Sequence, residues 1–383
     1  MTHIGLNLIY LVPGETGGTE VVARELVPAL VAERPDLRFT AFVNLEASEH
    51  RDGFWHDLVP SVTVPVRARR RAEWVRGEQQ LLPRLAAREG VDVVHSLANT
   101  GPGWGRFKRV VTIHDLIHRV HPEAHFGVRS LGMRILVSLA ARRSDRVIAD
   151  SESTRDDLER LLGVAPARID VAPLGLGTTT AVEPVPEREL REGHGLGARK
   201  VVLSVSAKRP HKNLMRLLEA LAMIPAQRRP VLVLPGYPTP YESELQARAV
   251  ELGVDGDTRL VGWVSDSELE GMYAVADCFV FPSLYEGFGM PVLEAMSRGV
   301  PVACSDRGSL AEVAGGAARL FDPESPRSIT DAIEEILSQP DEAERLRASG
   351  REQAARFTWA ATARATAASY DKALGHGKIP DVA

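Results

Sequence analysis

The segment that most limits what this chain can fold into runs from Ser267 to Val302. Asp277-Cys-Phe-Val-Phe-Pro-Ser283 is a short apolar run, and it leads into Glu286-Gly-Phe-Gly-Met-Pro-Val-Leu-Glu294. Ahead of it, Ser267–Ala276 has the spacing of an amphipathic helix, and behind it Ala295–Pro301 leads to another short apolar run. Helix, buried strand, glycine-rich loop, helix is the repeating unit of a parallel sheet with crossover helices. It also sets a helix N-terminus, with its free N–H groups and positive dipole end, where a polyanion is favoured. Glu286 falls in the loop, within reach of a ligand hydroxyl. Glu294 falls near the first turn of the next helix, where a carboxylate can chelate a vicinal diol. A phosphate between two hydroxylated rings satisfies all three features, and a nucleotide sugar is such a ligand.

The same alternation recurs along the chain. Ile4–Leu11 reads as a strand, Pro13–Gly18 as a loop, and Thr19 as the N-cap of a helix to about Ala32. Val91–His95, Arg109–Ile113 and Arg146–Ala149 are further strands. A stretch rich in Gly, Pro and Thr from Pro173 to Gly197 reads as a linker. The pattern then restarts with strands at Lys200–Val205, Pro230–Leu234, Arg259–Gly262 and Val300–Cys304, and helices at Leu214–Ala222 and Glu242–Leu252. A chain of 383 residues exceeds a typical single core. The expected fold is α/β, two Rossmann-like domains facing across a cleft, with boundaries at 1–180 and 181–362.

Composition excludes more than it assigns. A net charge of −5 argues against a nucleic-acid-binding surface. Cys278 and Cys304, the only 2 cysteines, sit in apolar runs and read as buried small hydrophobes, with no disulfide framework or zinc spacing. The N-terminus reads as a first strand rather than a signal peptide, and no apolar run is long enough to span a bilayer, so a cytoplasmic protein is expected. Arg67-Ala-Arg-Arg-Arg71, with Trp74 beyond it, reads as a solvated loop or as a peripheral contact with the inner face of the cell membrane.

Three further segments carry candidate chemistry. Ser204-Val-Ser-Ala-Lys-Arg-Pro-His-Lys-Asn213 lies between a strand and a helix and offers Lys208, Arg209 and Lys212 to a departing diphosphate. The loop Gly14–Thr19 lacks the ending of a phosphate-binding Walker loop, so its glycines alone indicate a tight turn. His114, His118, His121 and His125 have helical spacing suggestive of a metal site. Against that, the H-E-x-x-H glutamate is Asp115 here, Pro122 stops a helix, and the run Val110–Ile113 puts His114 at a strand end. Asp255-Gly-Asp257 reads as a turn and not a metal motif.

From Glu286 to Val302 the chain reads E-G-F-G-M-P-V-L-E-A-M-S-R-G-V-P-V. It thereby resembles the retaining glycosyltransferases of family 4, also called glycosyltransferase group 1, and their mannosyltransferase-like members. The resemblance implies the GT-B fold, with the segment from Phe357-Thr-Trp onward crossing back so that about 363–383 joins the first, acceptor-side domain. It implies a retaining, metal-independent transfer of a sugar from a nucleotide-diphosphate sugar, with GDP-mannose a weak preference, to a hydroxyl acceptor in glycan, glycolipid or natural-product biosynthesis. No cofactor beyond the nucleotide-sugar co-substrate is implied. Glu286 and His114 then meet the reacting sugar, and Glu294 meets the ribose. Gly287, Phe288, Gly289 and Met290 supply loop contacts, Lys212 meets the diphosphate, and Gly17 and Gly18 lie close by. Where the family has an arginine, this chain has Ser206 or His211, so Lys208 or Arg209 is expected to replace the missing guanidinium. The alternatives left open are a nucleotide-sugar epimerase or hydrolase, a phosphorylase, a dinucleotide oxidoreductase, and a non-catalytic nucleotide-binding protein.

Overall fold

The computed structural model describes residues 1–50, 53–121, 128–177 and 182–375. The chain divides into two compact units. One comprises Met1–Arg119, His125–Gly177 and Phe357–Ala383; the other comprises Val120–Ala124 and Thr178–Arg356. Position 181, the expected domain start, lies outside the described residues, as do His125 and 376–383.

The first unit is built on seven parallel strands: β1 (His3–Leu8), β2 (Arg38–Val43), β3 (Ser61–Thr63), β4 (Val93–Ser96), β5 (Lys108–Ile113), β6 (Arg146–Ala149) and β7 (Ile169–Val171). Their order is β3-β2-β1-β4-β5-β6-β7, and every pairing is parallel. The second unit has six: β8 (Val201–Leu203), β9 (Val231–Pro235), β10 (Thr258–Val261), β11 (Cys278–Phe281), β12 (Val302–Ser305) and β13 (Arg319–Phe321). Their order is β10-β9-β8-β11-β12-β13, again all parallel. Helices cover such sheets on both faces, which is why β1, β9 and β11 are buried along their whole length. These are the two Rossmann-like domains expected from sequence. Strand order reverses direction between β1 and β4 in one sheet and between β8 and β11 in the other. Ligands of doubly wound sheets bind beyond the strand ends at such points.

Two local differences from the sequence reading stand out. The helix after β1 runs Gly18–Glu33 with Gly17, not Thr19, at its N-cap. Gly17 has φ 69°, a left-handed turn that starts the helix early, and the Thr19 hydroxyl donates instead to the Thr16 carbonyl (3.4 Å). The second concerns strands without a clear pattern. β3, β7 and β13 have 3 residues each, too few for any periodicity, and Arg38 and Thr40 interrupt the apolar signal of β2.

The C-terminal helix Trp359–Leu374, capped by the Thr358 hydroxyl, belongs to the first unit. Trp359, Ala363, Ala367 and Tyr370 share its buried face, at the spacing of successive turns. The Thr362 hydroxyl donates to the Pro173 carbonyl (2.7 Å), and Ser369 and Lys372 reach the Asp170 carboxylate (2.7 and 2.6 Å). The chain rejoins the first unit at Phe357, ahead of the expected position 363.

Candidate active site

In the second unit the loops after β8 and β11 are laced together. The Leu284 amide donates to the His211 carbonyl (2.9 Å), and the Asn213 side chain donates to the carbonyls of Pro282 (3.0 Å) and Pro323 (2.7 Å). Asn213 accepts a left-handed φ of 60° to end the short turn Pro210–Lys212. This turn delivers Lys212 to Glu286: Nζ stands 2.6 Å from Oε1, and the ammonium lies 5.3 Å from the Phe281 ring centroid. The Ser309 hydroxyl donates to the Glu286 carbonyl (2.9 Å). Gly289, at φ 114°, caps the helix Met290–Ser297, and a Cβ there would lie 2.6 Å from Leu310. The glycine is therefore demanded by both torsion and space. Gly287 and Phe288 complete the loop, Phe288 turning its ring into the core.

Glu294 lies one turn inside that helix, deeper than the first-turn position read from sequence. Its Oε2 accepts from the Tyr273 hydroxyl (3.1 Å), and burial raises its carboxyl above the ordinary range, against the opposing pull of Arg298 and Tyr273. The Arg298 guanidinium stacks on Tyr273 (4.6 Å) and pairs with Glu270.

The structure separates Lys208 from Arg209. Lys208 is fully enclosed; its ammonium donates to the carbonyls of Gly236 (2.9 Å) and Val261 (2.7 Å) and stands 3.3 Å from Glu242. It ties the ends of β9 and β10 to the β8 loop. Arg209 is exposed and has no ion-pair partner among the described residues. The sequence reading passed over a further group. The Ser204, Ser206 and Ser283 hydroxyls are buried beyond the ends of β8 and β11 and have no hydrogen-bond partner among the described residues. Small hydroxyls directly after a buried parallel strand were the available signal. Ser206 stands where the family pattern has arginine, so a neutral donor replaces a cation.

In the first unit, Gly17 and Gly18 are exposed and nothing lies within 4 Å of a Cβ built on either. Torsion explains Gly17, whereas Gly18 leaves backbone open to an approaching group. His114 is in a different state. It follows β5 directly, its Nδ1 lies 2.7 Å from Asp150 Oδ2, and its Nε2 lies 2.7 Å from the Leu97 carbonyl oxygen. Both ring nitrogens are thus engaged within this unit. Asp150, at the end of β6, was no sequence candidate, because nothing in its spacing from His114 shows that β5 and β6 are neighbours.

The remaining candidates fall away from these positions. His114 precedes the helix Ile117–Val120 that carries His118, so no helix face joins the two, and no metal-binding cluster occurs among the described residues. Asp257 bridges Arg199 (2.5 Å) and Arg229 (3.1 Å). Arg67, Arg69 and Arg70 pair with Glu49, Glu15 and Glu73, and Trp74 packs against the core. Among the described residues no helix is long and apolar enough to cross a membrane.

A Lys–Glu pair and a glycine loop thus stand at the strand ends of one of two Rossmann-like units. Residues 186–353 match the glycosyl transferases group 1 and residues 16–179 match Glycosyltransferase Family 4. O-antigen chain mannosyltransferase B of Escherichia coli is 32% identical over 256 residues, 66% of this chain and 67% of that one. The MMP alpha-(1->4)-mannosyltransferase of Mycolicibacterium hassiacum is 30% identical over 314 residues, 76% of this chain and 73% of that one. The chain therefore belongs to the GT-B glycosyltransferases of the group 1 and family 4 kind that are related to mannosyltransferases. Sucrose-phosphate synthase of Thermosynechococcus elongatus shares the fold, with a TM-score of 0.77 at 22% identity over 98% of this chain and 100% of that one.

Proposed function

We propose that this protein moves a hexosyl group, mannose from GDP-mannose first among candidates, to a hydroxyl of a growing glycan, glycolipid or natural product. The transfer retains anomeric configuration and uses no metal. The observation that carries this reading is the Lys212–Glu286 contact of 2.6 Å beside the glycine loop. Transfer requires a cation for the leaving diphosphate and a carboxylate for the sugar, and this pair supplies both at one place. As the sugar–phosphate bond breaks, Lys212, Arg209 and the loop amides of Phe288–Met290 meet the growing negative charge without reorganising. Glu286 exchanges Lys212 for the sugar hydroxyls and favours positive charge at the anomeric carbon. Glu294 accepts the ribose diol. Attack on the leaving-group face lets the departing phosphate take the acceptor proton, so no enzymatic base is required.

The mannosyltransferases among the relatives support the choice of mannose. Two buried, unpaired thiols, Cys278 and Cys304, suit a reducing, cytoplasmic setting. A membrane contact through Arg67–Arg71 has less support, because three of those arginines are already matched by carboxylates. The test is a thermal-shift screen of nucleotide sugars followed by NMR of the product linkage. GDP-mannose should stabilise the protein most. A larger shift with a UDP-sugar would replace mannose, and no shift with any nucleotide sugar would overturn the reading.

A further inference from the structure

The ring of His114 is flanked by two oxygens, Asp150 Oδ2 at Nδ1 and the Leu97 carbonyl at Nε2, each at 2.7 Å. A carboxylate and a backbone carbonyl only accept, so each contact needs an N–H on the ring. Neutral imidazole has one N–H; the imidazolium has two. The arrangement is also held in place. Asn99, at a left-handed φ of 55°, accepts the His114 backbone N–H on its side-chain oxygen (2.7 Å) and donates its own N–H to the Thr112 carbonyl (2.9 Å). That strap keeps the Leu97 carbonyl over the ring.

The groups that face His114 are Asp150 at the end of β6, Asp115 next in the chain, and His95 on β4. His95 is spent on the Tyr370 hydroxyl (2.7 Å) and the Thr112 hydroxyl (2.9 Å), and burial with the nearby His114 charge pushes it down to about 3. Burial opposes charge on His114 too. Asp150, by charge and hydrogen bond, then the Leu97 carbonyl, outweigh burial and raise it to about 9.

We infer that Asp150 is a positioning residue which, with the Leu97 carbonyl, keeps His114 an imidazolium without a proton-accepting lone pair, so that this histidine serves sugar transfer as a fixed cation and never as a base. The inference rests on the proposed transfer for its catalytic meaning, while the protonation state is measured apart from it.

His114 ring resonances, assigned by their loss in His114→Gln, are followed in the full chain by NMR from about pH 5 to about pH 10. The wild-type ring should stay doubly protonated to about pH 8 or above. In Asp150→Asn, whose amide keeps shape but loses charge, it should titrate at about pH 7 or below. Turnover of that variant should then fall about tenfold or more from about pH 5.5 to about pH 8, with kcat moving more than the donor KM, while the wild type stays flat. Asp150→Glu should restore the flat profile. The pKa of the folded state exceeds that of the unfolded chain, so the pair stabilises the fold fully below about 6.5, and this contribution is lost as pH rises through about 9. His114→Gln should remove that part of the melting-temperature slope. A wild-type ring titrating at about pH 6.5 overturns the inference, as does an Asp150→Asn profile parallel to the wild type. Should Asp150→Asn fail to fold, the wild-type titration decides alone. Failure of every nucleotide sugar to stabilise the protein would remove the transferase reading and leave the titration result standing.

Discussion

The strand ends of the two sheets carry charge in opposite ways. Lys212 and Glu286 keep 17% and 15% of their side-chain surface exposed, whereas His114 and Asp150 keep 10% and 2%. The first pair sits at the mouth of a glycine loop, where a phosphate or sugar can take the place of either partner. The second is sealed under the Leu97–Thr100 loop, where breaking it leaves a buried charge unmatched. One sheet presents its charged pair at a partly open strand end; the other holds a charge enclosed. Lys208 shows that the second unit uses both modes a few residues apart.

The sharpest way to break this comparison is Glu286→Gln. If the partly buried pair serves the transition state, turnover should fall about 10²-fold or more, roughly 2.7 kcal/mol, with donor affinity changed much less. Wild-type turnover in the variant would make the pair structural. Glu294→Ala tests ground-state binding in the same unit. Donor affinity measured by calorimetry should weaken by about 1.5–3 kcal/mol, the range of charge-assisted hydrogen bonds, and an unchanged affinity would remove Glu294 from the site. Lys208→Met tests the sealed mode. It strands two carbonyls and Glu242, so folding stability in urea should drop by about 1–3 kcal/mol, with donor affinity intact. A loss of affinity without loss of stability would return Lys208 to the diphosphate. Chelation should have the smallest effect. Turnover after dialysis against excess EDTA should match the untreated enzyme, and a loss restored by magnesium or manganese would contradict charge stabilisation by Lys212 and the loop.

How much was legible differs between the sheets for a physical reason. Glu286, Gly289 and Glu294 fall within one strand–loop–helix unit, so helix and strand periodicities alone place them together at one strand end. Lys212 comes from the neighbouring strand's loop and is singled out only because its whole segment resembles the family. Lys208 reads from sequence as one of three candidate cations, and its enclosure does not show there. Its burial depends on Gly236 and Val261, carbonyls from two other strands that nothing near Lys208 announces. The contact of Asp150 with His114 was not legible, since it follows from the parallel pairing of β5 with β6.

The sequence by itself determined the alternation of elements, the two parallel sheets, the glycine-rich loop between the two carboxylates and the helical C-terminal segment. These are short-range properties: side-chain period, backbone torsion and turn chemistry act over a few residues. Only the tertiary structure decided which cations are spent and which remain available, and that a histidine is held between two acceptors. Burial and partner identity depend on strand order, and strand order sets beside one another residues that lie 36 positions apart for His114 and Asp150 and 74 for Lys212 and Glu286.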